Sequence, residues 1–208
     1  MADVAKQRAF ILSPARLDGV RGKLLLRPGG RFPLARGLDE KEGLALGEVF
    51  SFISALYFRG KLTYATAFAQ LTREPAPVLV ITTDRGLRPP EERVRRKDLA
   101  RFSRIDIAAE DRRFLNPLLR DARALDASLG ANGEVVLLGS IATGKYVDPL
   151  LSVFGPRLVF PVAFVGRGDM SRGGLLLRSA RAGTELEYAS VAGAVRHGVR
   201  PPRLQKLR

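Results

Sequence analysis

The chain has 208 residues, 46% hydrophobic and 27% charged, which suits one globular domain with a real core and excludes a disordered chain. It has no cysteine and one histidine, His197, so disulfides, thiolate centres and histidine-rich metal sites are excluded. Thirty-five basic residues against 21 acidic ones leave a formal charge of +14, carried mostly by arginine, whose planar fork suits phosphate and carboxylate.

The first apolar run, Ala9-Phe10-Ile11-Leu12, reads as a buried strand and stops at Ser13-Pro14-Ala15-Arg16. Residues 14–43 are rich in Gly, Pro and Arg and read as a long irregular excursion, with one turn of helix around 22–27. Residues 44–71 carry the clearest helical stripe: Leu46, Val49, Phe50, Ile53, Leu56 and Tyr57 follow i, i+3, i+4, i+7 spacing. Gly60 is expected to break or kink it, leaving a second helix through Leu62, Ala65, Phe68 and Leu71.

A second strand, Val78-Leu79-Val80-Ile81, ends at Thr82-Thr83-Asp84-Arg85-Gly86. After Pro89-Pro90, residues 91–101 read as a short basic helix and 104–107 as a short strand. An amphipathic helix over 110–129 is closed by Gly130. The third strand, Val135 to Leu138, leads into Gly139-Ser140, and a short helix covers 147–154. The run from Leu158 to Val165 is the last strand of the alternating part. Leu175 to Arg178 and Glu185 to Tyr188, around Gly183, suit a hairpin, and the tail from His197 is expected to be extended.

Strands alternating with helices predict an α/β fold: a three-layer, Rossmann-like, mostly parallel sheet with a C-terminal antiparallel hairpin. The expected organisation is a single domain over 1–208, with its core in 1–195 and a basic tail, open to mobility, over 196–208. In such sheets ligands sit outside the carboxyl ends of the strands, so the polar endings of the four runs should converge on one pocket.

The strongest motif is Gly139-Ser140-Ile141-Ala142-Thr143-Gly144-Lys145, which satisfies GxxxxGK between a strand and a helix. Tyr146 replaces the Ser/Thr that would hold magnesium, and Pro149 follows closely. The segment therefore reads as a true phosphate loop, a looser anion-binding turn or an ordinary glycine turn. The second candidate, 166–174, places Gly166, Arg167, Gly168, Asp169, Ser171 and Arg172 together. It could wrap a phosphate or sugar with Asp169 as acid or base, or simply connect two elements with Asp169 paired to an arginine. Asp84 beside Arg85, and Ser13 with Arg16, stand at strand ends where catalysis or ribose binding is common, though either pair could equally start a turn.

The expected site thus has Asp84 and Asp169 as catalytic carboxylates. Gly139, Ser140, Thr143, Gly144, Lys145, Gly166, Arg167, Gly168, Ser171 and Arg172 bind phosphate, with Ser13, Arg16 and Arg85 in support. No motif requires a cofactor, and the metal that this composition best suits is a hard cation such as magnesium.

The charge is unevenly spread. Residues 85–104 hold eight basic and three acidic side chains, a net +5, and 196–208 hold five basic ones and no acid. A bias that merely inflated arginine would spread it more evenly. The partner implied is a nucleotide or nucleic acid, and the activity a glycosyl or phosphoryl hydrolase or transferase. The alternative is a non-catalytic, basic RNA- or DNA-binding module built on those two segments. No apolar stretch approaches the roughly 18 residues of a membrane span, and residues 1–6 lack the organisation of a signal peptide. A cytoplasmic protein without a membrane partner is expected.

Overall fold

The computed structural model describes residues 7–69, 76–108, 110–202 and 204. In chain order the elements are β1 (Arg8–Leu12), α1 (Val20–Leu26), α2 (Pro33–Gly37), β2 (Leu44–Ala45), α3 (Leu46–Phe68), β3 (Val78–Ile81), β4 (Leu87–Arg88), β5 (Arg93–Val94) and α4 (Arg96–Phe102). They continue with α5 (Arg112–Leu129), β6 (Glu134–Leu138), α6 (Gly144–Phe154), β7 (Leu158–Pro161), α7 (Asp169–Ala182) and β8 (Tyr188–Ser190).

The apolar runs form strands because each is covered on both faces, as parallel strands with helical crossovers must be. β3, β6 and β7 are buried along their whole length, and β1 from Ala9 onward. The sheet order is β4-β3-β1-β6-β7-β8. The four central strands are parallel, with Phe10 opposite both Val78 and Val136. β4 and β8 close the two edges in antiparallel register.

The connection from β1 runs through α3 to β3, and the one from β6 runs through α6 to β7 on the other side of β1. Right-handed crossovers in opposite directions put their helices on opposite faces. Accordingly α3 packs with α7, and α5 with α6. The strand order reverses between β1 and β6, and the crevice of a Rossmann-like sheet opens outside their carboxyl ends.

Several expectations are corrected. The excursion over 14–43 contains two short helices, α1 and α2, rather than one turn. Residues 104–107 form no strand. The C-terminal antiparallel edge exists as β8 on β7, but Leu175 to Arg178 belong to α7. The glycine stretch accordingly splits: Gly166 and Gly168 remain in a loop, while Gly173 and Gly174 are helical. The kink in α3 falls at Ala55 (φ 43°, ψ −119°), not at Gly60. Leu71, expected to end that helix, lies outside the described residues.

Gly60 and Gly173 mark the crossing of α3 and α7. A Cβ on Gly173 would stand 2.6 Å from the Leu56 carbonyl oxygen, and one on Gly60 would stand 2.7 Å from the Gly173 carbonyl oxygen. The two backbones touch, so glycine is the residue the crossing requires. That contact draws the first turns of α7 beside Tyr57 and Lys61.

Candidate functional site

Lys61 projects from α3 to the end of β1. Its side chain is 1% exposed, yet among the described residues no carboxylate forms an ion pair with it. Nζ donates to the Ser13 carbonyl oxygen and lies 2.9 Å from Ser13 Oγ. The rings of Tyr57 and Phe58 enclose it, with centroids 4.6 and 4.7 Å from Nζ. Burial pushes the amine down to about 7, against a smaller upward pull from Asp169.

Ser13 is also the partner of Tyr146, from the first turns of α6. The Tyr146 hydroxyl donates to the Ser140 carbonyl oxygen at 2.9 Å. Burial pushes this phenol up, partly offset by the bonds to Ser13 and Ser140. A Cβ at Gly139 would lie 2.8 Å from Tyr146 Oη and 2.9 Å from Ser13 Cβ. A side chain there would close the space that the two hydroxyls share.

The third wall comes from α7. Arg172 donates through Nε and Nη2 to the Phe164 carbonyl oxygen, at 3.2 and 3.1 Å, and lies over the Phe164 ring. Nη1 is 3.7 Å from Asp169, whose side chain is 69% exposed. Tyr57 is buried, and its hydroxyl makes no well-formed hydrogen bond, with Arg172 as its charged neighbour. Burial pushes the Tyr57 phenol well up. Arg16 forms a two-pronged pair with Asp18, at 3.1 and 2.6 Å, and also feels the Asp169 carboxylate.

Ser13, Gly139, Ser140, Asp169 and Arg172 therefore lie near Lys61 at the reversal point of the sheet, with Arg16 exposed and paired to Asp18 outside them. The other expected residues are placed differently. Thr143 and Lys145 are exposed at the start of α6. Gly144 and Lys145 line a shallow hollow of about 590 Å³ together with Asp106, Glu110 and Asp148. Three carboxylates there oppose an anion, although the N–H groups in the first turn of α6 have no side-chain cap.

Arg167 turns to the tail, donating to the Pro202 carbonyl oxygen at 3.2 Å and to Ser171 Oγ at 3.3 Å. Gly168 and Ser171 share with it a hollow of about 330 Å³, bounded by Leu56, Arg178, Arg200 and Leu204. Gly166 packs against the Val199 carbonyl, and Arg196 pairs with Asp148 at 2.8 Å. The described part of the tail forms no helix or strand, and it touches the body of the molecule at Gly166 and Arg167.

Asp84 and Arg85 form the centre of an ion-pair network. Asp84 meets Arg101, while Arg85 bonds to Glu92 at 2.9 Å and to Asp98. Arg88 reaches Asp121 at 3.5 Å, and Asp98 also caps Arg95 N at 2.8 Å. Arg96 ties Asp39 and the carbonyls of Leu25, Arg27 and Ala35 together. Much of the basic segment thus binds the α1–α2 excursion and the loop after β3 to α4.

Lys61, Tyr57 and Tyr146 were absent from the sequence-based set. A signal for Lys61 did exist: it sits four residues after Tyr57 and three before Tyr64, on the apolar stripe of α3. A lysine interrupting such a stripe must be buried or distort the helix. Among the described residues, no three acidic or imidazole groups gather into a metal-binding cluster. No helix among them is long and apolar enough to cross a membrane.

No family model matches the chain, and neither a curated protein nor a solved structure matches it.

Proposed function

We propose that this chain is an enzyme that acts on a phosphate-bearing nucleotide or nucleic-acid end, held at the rim between β1 and β6. The observation that carries the reading is Lys61, a buried amine that pairs with no carboxylate among the described residues, standing where open α/β sheets take their ligands. Burial brings the amine down to about 7, poised between its charged and neutral forms, as a group that exchanges protons at a reacting ligand must be.

Arg172 and Arg16 add guanidinium groups at the mouth, and Asp169 is the carboxylate on the ligand's side. The reaction class is hydrolysis or group transfer at a phosphate or glycosidic bond, with charge stabilised by fixed cations. Asp84 is engaged by Arg101 and Arg85, so Asp169 is the expected carboxylate left open to a ligand at the rim. The same network weighs against a purely nucleic-acid-binding module, because Arg85, Arg88, Arg96 and Arg101 are committed within the protein.

Thermal unfolding with nucleotides and short RNA or DNA tests the reading. A ligand at 100 times its Kd adds about 2.7 kcal/mol to stability, which raises Tm by about 5–10 °C for a chain of this size. Arg172→Ala should remove the shift. No shift with any nucleotide or oligonucleotide at millimolar concentration rejects the proposal.

A further inference from the structure

We infer that Ser13 is a nucleophile and Lys61 its general base, and that together they transfer a phosphoryl group through a covalent phosphoserine. The inference rests on the ligand reading above and deepens it, because it names the attacking atom and the class of substrate, a phosphate ester.

The geometry is that of an activated nucleophile. Ser13 Oγ is 2.9 Å from Lys61 Nζ, within the range for direct proton transfer. The amine is fixed by its bond to the Ser13 carbonyl and by the rings of Tyr57 and Phe58. A lysine enclosed in this way, with no ion-pair partner among the described residues, is available in its neutral form near neutral pH, as a base must be. The groups facing it are Tyr57 and Phe58 from α3, Ser13 just after β1, and the more distant Asp169 from α7.

The site also holds a donor with nothing to bind. The Tyr57 hydroxyl is buried and lacks a well-formed hydrogen bond, beside the Arg172 guanidinium. Buried polar groups are seldom left so. A phosphoryl oxygen carried by the ligand would accept from Tyr57, while Arg172 would offset the charge gathered in the transition state. Pro14 follows Ser13 and has no N–H, so the usual backbone donor after a nucleophile is missing. Side-chain donors must take its place.

The chemistry balances without a further reactant except water. Ser13 Oγ attacks phosphorus and its proton passes to Lys61 Nζ; the Oγ–P bond forms and the bond from phosphorus to the leaving oxygen breaks. The leaving oxygen takes the proton from the ammonium, which restores the neutral amine. Water then attacks the phosphoserine, gives a proton to Lys61 and displaces Ser13 Oγ, which recovers that proton.

The test treats the full chain with an alkyl fluorophosphonate between pH 6 and 8 and follows its intact mass. One adduct is expected on the peptide that contains Ser13, with fluoride released, and it should be absent from Ser13→Ala. Its rate should rise about tenfold between pH 6 and 8, the neutral fraction expected of a base that titrates near 7. Lys61→Arg, which keeps a donor but cannot accept a proton in this range, should slow it at least about 100-fold. No adduct on Ser13 of the unaltered chain, or a rate flat across that pH range, overturns the inference, even if Lys61→Arg fails to fold. Calorimetric titration of the unaltered chain with a nucleotide and an oligonucleotide separates the two readings. Binding without an adduct overturns the dyad alone, and an adduct without binding sustains the dyad and overturns the ligand class.

Discussion

Replacing Lys61 with methionine should change how stability depends on pH. In the unfolded chain the amine titrates near its ordinary 10.5, whereas burial brings it down to about 7 in the folded protein. Between those values the unfolded state binds the proton that the folded state refuses, so folding stability rises with pH. Below about 7 both states are protonated and the whole cost of the buried ammonium is present. Each pH unit in the window is about 1.4 kcal/mol. Because the folded amine is still half protonated at pH 7, the unaltered chain should gain about 2 kcal/mol relative to Lys61→Met between pH 7 and 9. The variant loses the bonds to Ser13 O and Oγ, about 1 kcal/mol each, but that loss is nearly constant with pH. Urea unfolding of both proteins at pH 7, 8 and 9 measures the difference directly. Parallel pH profiles would refute the reasoning, because they would mean that Lys61 stays charged and solvated, or paired, in the folded state.

Gly173→Ala should cost about 1–3 kcal/mol by forcing apart the backbones of α3 and α7, read as a lower urea midpoint. Ala55→Gly should be nearly neutral, because the positive φ of Ala55 offsets the greater freedom of an unfolded glycine. The same exchange at the exposed, regular helical position Ala127 should cost about 1 kcal/mol. Arg96→Ala should cost about 2–4 kcal/mol, since it orphans Asp39 and the carbonyls of Leu25, Arg27 and Ala35. Arg96→Lys should recover little of this, as one ammonium cannot span those acceptors. Equal midpoints for the two Arg96 variants and the unaltered chain would rule out the bridging role.

The parallel sheet was legible because its strands are buried on both faces, which leaves continuous apolar runs such as Val135 to Leu138 in the sequence. The stripe of α3 was legible for a similar reason, since Leu46, Val49, Phe50 and Ile53 all face the core. Helix α7 was not. Its first turns carry Gly173 and Gly174, poor helix formers, and Leu175 to Leu177 give an apolar run without helical periodicity. Gly173 is held there by contact with Leu56 and Tyr57, more than a hundred residues earlier in the chain. Tertiary packing overrode local preference, and no window of sequence contains that information.

The site divides along the same line. Ser13, Gly139 and Asp169 could be expected at the rim because position at a strand's end follows from topology, which the alternation of elements reveals. The function of a charge cannot be read in this way. Arg85 and Lys145 are conspicuous in sequence, yet one is held by Glu92 and Asp98 and the other faces a hollow lined by three carboxylates. Lys61 is inconspicuous, one lysine among helical residues, and its chemistry comes wholly from what surrounds it. Tyr57 and Phe58 enclose it from the preceding turn of α3, while its contact with Ser13 joins α3 to the end of β1. The residue on which the proposed chemistry rests thus joins a local helical contact, legible in sequence, to a contact with Ser13 that no window of sequence contains.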